Sequence, residues 1–221
     1  RLWRILPQDG QDAVIKYKFK KRENVNLRED FDGKVDFREL GLIEIVHAGD
    51  VLATKIPPTQ GTPGKMITGE EIPPKNGQDV SIQRGENTHL ANNGMTLLSS
   101  VDGYVFLNDE RISVGTTYEV SGNVDMNVGN IYFIGPVKVK GDVQKGFTIK
   151  TEGDIEIGGG VENATLISEG NITVMQGIRG TKCQIQAKGN VICKFIENAN
   201  VEAKGNVIVT DAILHSQVIA G

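Results

Sequence analysis

The sequence predicts an all-β chain: a mostly-β N-terminal domain (residues 1–115) followed by a single-stranded parallel β-helix (116–221), taken as right-handed. Three observations carry this. The 221 residues hold 27 glycines but only 5% aromatic residues. A Gly-Asp/Asn-Val/Ile triplet recurs six times in the second half. Around each copy, apolar or small residues alternate with polar ones.

Glycine at roughly 12% stands well above its usual share of about 7%. Glycine serves where the backbone turns tightly or two backbones approach closely. Many glycines with few aromatics point to many turns around a thin aliphatic core.

The triplets begin at Gly122, Gly141, Gly153, Gly170, Gly189 and Gly205, with spacings of 19, 12, 17, 19 and 16 residues. Two positions after each glycine stands Val124, Val143, Ile155, Ile172, Val191 or Val207. Four before it stand Tyr118, Val137, Ile149, Leu166, Ile185 and Val201. Directly before it come Ser121, Lys140, Glu152, Glu169, Lys188 and Lys204. This is period two, with one face buried and one wet. The spacing is too variable for a hexapeptide array, and hairpins would reverse the strand sense within each unit. A coil fits, each turn lying about 4.8 Å from the last and stacking like residues into ladders. The six glycines are read as equivalent structural corners. Glycine supplies the corner conformation, and Asn or Asp tolerates left-handed backbone. Val161, Ile178, Ile196 and Ile213 suggest a third side.

Cys193 fills the slot of Ile157, Val174 and Val209, and Cys183 that of Ala164 and Ala199. Both are therefore expected to be buried, inert core residues. Ile192 and Ile208, each three after a glycine, should point outward in neighbouring coils. They form a candidate apolar contact patch, covered by further chain or by a partner. Val218 and Ala220 repeat Val201 and Ala203, so a further coil is expected beyond Gly221, and the absence of Met at position 1 reads as a fragment.

Before residue 115 the triplet is missing. Strand-like runs at 13–19, 41–47, 95–98 and 103–107 alternate with the turn dipeptides Asp9-Gly10, Asp32-Gly33, Asn76-Gly77, Asn93-Gly94 and Asp102-Gly103. A short helix is expected at 36–40. Residues 56–74 (IPPTQGTPGKMITGEEIPP) read as a stiff, proline-bounded surface loop. Gly61, Gly64 and Lys65 only faintly match a phosphate loop, because Thr59 and Met66 replace its first glycine and its hydroxyl residue. VHAGDVLA (46–53) with VDGYV (101–105) resembles the paired turns of lipoyl-like domains, but the candidate turn at 92–95 holds no lysine to modify.

Several function classes lose support here. The formal net charge is −4, and the one basic run, KYKFKKR at 16–22, alternates as a strand does, so nucleic acid is not an expected partner. No run approaches the roughly 20 apolar residues of a membrane span. Two cysteines without nearby histidines make neither a disulfide framework nor a zinc site, and a reducing compartment is expected. No cofactor or metal is expected. His47, His89 and His215 are dispersed and fit no catalytic motif. Asp154, Glu156 and Glu162 are the nearest approach to the carboxylate pair of a glycosidase. The one Trp, Trp3, lies outside the repeat.

LREDFDGKVDFRELGL (27–42), GDVLA (49–53), the 56–74 segment and FIENANVEAKG (195–205) together resemble the bacterial flagellar assembly protein A family, in order and over essentially the whole chain. The resemblance implies a cytoplasmic bacterial protein with a β-rich N-terminal domain before a β-helix. It also implies a non-enzymatic role in flagellar assembly or polar localisation. The expected function is a scaffold that binds protein partners. Two alternatives stand beside it: a self-polymerising, bactofilin-like element, and a polysaccharide-binding or polysaccharide-active β-helix. The last predicts an acidic groove lined by aromatics.

Overall fold

The computed structural model describes residues 5–20 and 43–221. The helix expected at 36–40, the Asp32-Gly33 turn, Trp3 and the 27–42 run lie outside the described residues, as do the last two residues of the basic run. Every described element is a strand. Among the described residues no helix is long and apolar enough to cross a membrane.

The chain divides into two units. The described part of the first takes in 5–20, 47–101 and 105–114, and that of the second takes in 43–46, 102–104 and 115–221.

In the first unit an antiparallel sheet runs in the order Val14–Tyr17, Val51–Ile56, Thr96–Ser99, Thr88–Ala91. Its last two strands are joined by a tight turn in which Asn92 (φ 50°), Asn93 (φ 55°) and Gly94 (φ 83°) are all left-handed, as the Asn-Gly signal requires. Asp9-Gly10 and Asn76-Gly77 do different work. A Cβ on Gly10 would strike the Thr59 carbonyl, and one on Gly77 the Gln11 carbonyl. These glycines let three chain segments run side by side. The 56–74 segment is a hairpin, Gly64–Lys65 against Glu71–Ile72, rather than a free loop. Bridges Ile5↔Lys65 and Gln8↔Thr62 tie it to the start of the described chain.

The second unit is the predicted parallel β-helix, of about six coils. One sheet stacks Tyr118–Val120, Val137–Val139, Ile155–Ile157, Ile172–Arg179, Val191–Glu197 and Val207–Leu214. Another stacks Ile131–Phe133, Thr148–Thr151, Thr165–Ser168, Gln184–Ala187, Asn200–Ala203 and Gln217–Ala220. The third side is a bridged column, Val124, Val143, Val161, Ile178, Ile196 and Ile213. Tyr118, Val137, Ile155, Ile172, Val191 and Val207 stand in parallel register, so successive coils take 19, 18, 17, 19 and 16 residues. Ile155, Ile172 and Val191 are fully buried. The inward columns merge into one aliphatic core. At the first coil this core is closed by aromatic rings: Tyr104 meets Tyr118 at 5.3 Å and Phe133 at 5.8 Å, edge to face in both cases.

The register corrects two readings of the triplets. First, the six glycines are not equivalent. Gly122 and Gly141 stack at one corner with Gly159, N–H to carbonyl at 3.0 and 2.9 Å. Gly153, Gly170, Gly189 and Gly205 mark another, where Gly189 and Gly205 donate to the glycine below at 2.8 and 3.0 Å. Val124 and Val143 accordingly belong to the third-side column, not with Ile155. The short spacing of 12 is the step from one corner to the next.

Second, none of the six glycines has a positive φ. All but Gly122 are needed for space. A Cβ at Gly141, Gly170, Gly189 or Gly205 would strike Oδ1 of Asn123, Asp154, Asn171 or Asn190 in the coil below. Those oxygens accept the backbone N–H of the next coil's Asx residue: Asp142 on Asn123 at 2.8 Å, Asn171 on Asp154 at 2.6 Å, Asn190 on Asn171 at 2.9 Å and Asn206 on Asn190 at 2.8 Å. Gly-Asx is thus a stacking device. Each Asx reaches up, and each glycine leaves it room.

Left-handed backbone occurs at a third corner instead. Gly129, Gly146, Asn163, Gly180, Asn198 and His215 have φ between 45° and 114° and recur every 17 or 18 residues.

Both cysteines are buried in the core, Cys193 in register with Val174 and Val209. Burial pushes the Cys193 thiol up to about 11 and raises that of Cys183 as well. In native protein both thiols should react with a disulfide reagent only at the rate of opening, then fully in denaturant, which a colorimetric thiol assay measures. The raised values favour the folded state while the unfolded thiols are also protonated. That stability is lost as pH climbs from the ordinary thiol range toward 11.

Candidate functional site

The outward side chains of a solenoid form columns at the coil spacing, so any site here is built from residues one coil apart. On the first sheet the outward column includes Thr173, Ile192 and Ile208 in direct register. Ile192 is 38% exposed and Ile208 48%, which places the two isoleucines side by side and facing out, as their offset from the glycine implied.

On the third side the outward position before the buried column is occupied by Asp142, Gly160, Gly177, Phe195 and Ala212. The glycines cut a furrow of about 650 Å³. At Gly177 the three atoms nearest an added Cβ would be Cζ, Cε1 and Cε2 of Phe195. Their near-equal approach means that the ring lies face-on across the glycine. Phe195 itself is half-buried and lines the furrow. Gln144, Lys145, Glu162, Gln176 and Arg179 form the rims. No pattern in the triplets flagged this furrow, because it depends on two residues 18 apart meeting across coils.

The other candidates are placed elsewhere. The 56–74 hairpin offers no phosphate cradle: Gly61 N–H is taken by Asn76 Oδ1 at 3.2 Å, Thr62 N–H by the Gln8 carbonyl at 2.8 Å and Lys65 N–H by the Ile5 carbonyl at 2.9 Å. The space a side chain would need at Gly61 and Gly64 is filled by Pro74 and Gln8, and by Ile5 and Pro7. His89 Nδ1 meets Ser100 Oγ at 2.8 Å, and His215 sits at the left-handed corner. The carboxylates weighed for sugar chemistry are engaged. Asp154 Oδ1 holds the Asn171 N–H, Glu156 pairs with Lys138 at 3.1 Å, and Glu162 pairs with Arg179 at 3.2 Å. Among the described residues no three His, Cys, Asp or Glu side chains gather closely enough to hold a metal ion.

Compared with known proteins, residues 116–221 match the family described as Flagellar Assembly Protein A beta solenoid domain, and residues 5–110 match the Flagellar Assembly Protein A N-terminal region. No curated protein and no solved structure matches the chain.

Proposed function

Because the chain belongs to the flagellar assembly protein A family, we propose that it is a non-enzymatic, cytoplasmic scaffold that docks protein partners during flagellar assembly or polar localisation. The observation that carries this reading is the outward pair Ile192 and Ile208, in register on a rigid stack of coils. Adjacent outward isoleucines leave apolar surface in water, and covering them removes it. A solenoid suits such a role because its columns keep a fixed spacing over several coils.

The test is affinity capture from cells with the full-length protein and an Ile192→Thr/Ile208→Thr variant, which repeats the Thr173 of the coil below. Both substitutions face outward, so the melting temperature is expected to hold. A reproducible partner should be recovered by the parent and reduced about tenfold or more in the variant, a loss of about 1.4 kcal/mol or more. Capture of no reproducible partner counts against the scaffold. Sedimentation of the same proteins addresses the bactofilin-like alternative, which a strict monomer at high concentration excludes.

A further inference from the structure

We propose that the furrow on the third side of the solenoid is a binding site for a neutral saccharide, with a sugar ring stacked on the Phe195 ring that lines it. This goes beyond the scaffold reading and does not depend on it.

The argument starts from what the surface can offer. Main-chain groups along this side are already paired from coil to coil: Glu162 N–H with the Val143 carbonyl at 3.1 Å, and Asn163 N–H with that of Arg179 at 2.9 Å. A peptide strand laid across the face would find no backbone partners, so β-strand addition is closed to it. The charges on the furrow cancel. Lys145 and Arg179 stand against Asp142 and Glu162, which gives no net field for a phosphate or a nucleic acid.

What remains open is amphipathic. Phe195 lies flat over Gly177 and lines the furrow, and Gly160 beyond it keeps the floor low. On the rims the amides of Gln144 and Gln176 and the Lys145 ammonium have no partner among the described residues. The amides both donate and accept, and the carboxylates nearby accept only. A ligand that carries donors as well as acceptors next to a flat apolar face would match all of these groups at once. A polyproline segment supplies carbonyl acceptors and no N–H donors. A pyranose supplies hydroxyls, each both donor and acceptor, around a face of C–H groups that packs on an aromatic ring.

A polysaccharide-binding or polysaccharide-active helix is expected to show an acidic, aromatic-lined groove, and the furrow departs from that. This furrow has one platform and balanced charge, which fits holding a sugar rather than cleaving one.

Saturation-transfer NMR on the full chain with maltotriose and cellotriose tests it, alongside trigalacturonate and octaproline as contrasting probes. The expected result is transfer to the C–H protons of a neutral sugar, with the affinity from a transfer titration lowered about tenfold in Phe195→Ala, equivalent to about 1.4 kcal/mol. Phe195→Trp should retain it, and Gln144→Ala/Gln176→Ala, at exposed positions, should weaken it without a change in melting temperature. No transfer to either neutral sugar, or transfer that survives Phe195→Ala, overturns the proposal. So does preferential binding of octaproline or of trigalacturonate. Partner capture through Ile192 and Ile208 is read separately, so either result can fail alone.

Discussion

Alanine at Gly189 is expected to destabilise the solenoid by about 2–4 kcal/mol, more than a methyl group costs on most surfaces. The reason lies one coil below. The new Cβ would press into Oδ1 of Asn171, which already accepts the N–H of Asn190 at 2.9 Å and its side-chain amide at 3.2 Å. The Gly170 carbonyl lies 2.8 Å from the same point, so backbone as well as side chain must shift. Asn171→Gly removes the first obstacle, the two hydrogen bonds to its Oδ1 and the one its amide donates to Asp154 Oδ1 at 3.2 Å, each worth about 0.5–1.5 kcal/mol. In the double variant, of the three atoms nearest the new Cβ the Gly170 carbonyl oxygen alone remains. Its total cost should therefore fall short of the sum of the single costs by about 1–2 kcal/mol, a coupling that chemical denaturation can resolve. Strict additivity would mean that Gly189 and Asn171 do not act as one device. Gly122 is the control. Nothing lies within 4 Å of a Cβ there, so Gly122→Ala is expected to cost little.

That pairing marks the limit of what the sequence shows. The inward ladder of Ile155, Ile172, Val191 and Val207 is legible because alternation survives from coil to coil, and Ile178, Ile196 and Ile213 stand out as apolar residues in the less regular segments between triplets. The slots of Cys183 and Cys193 come with it. The assignment of each triplet to a corner does not. Gly-Asp/Asn-Val/Ile looks the same at both corners, since each is a polar step followed by an inward residue. Only the hydrogen-bond register separates Gly141 from Gly153.

The left-handed corner was missed for the opposite reason. Its residues are Gly, Gly, Asn, Gly, Asn and His, alike in tolerating positive φ but not alike as letters. A search for residues that accept left-handed backbone at constant spacing would have found Gly129, Gly146, Asn163 and Gly180, each 17 apart. The site was less legible still. Ile192 and Ile208 follow from their offset, whereas the Phe195 platform exists only because Gly177 lies beneath it.

Truncating Ile172 to alanine should remove about 2–5 kcal/mol, because the side chain is fully buried in a thin core with little freedom to collapse. Its register neighbours Ile155 and Val191 are pinned by strand pairing above and below, so the cavity cannot be filled by sliding one coil. In a solenoid each coil is held chiefly by its two neighbours, and stability is a sum of coil and interface terms. One weak coil in the middle therefore loosens both interfaces at once. Amide exchange is expected to speed up in 155–157 and 191–193 as well as around 172, while the antiparallel sheet of the first unit keeps its protection. Ile192→Ala, one residue along the same strand from Val191 but facing out, should leave exchange and melting unchanged. If Ile172→Ala proved as mild as Ile192→Ala, the stacked column would not be what holds these coils together.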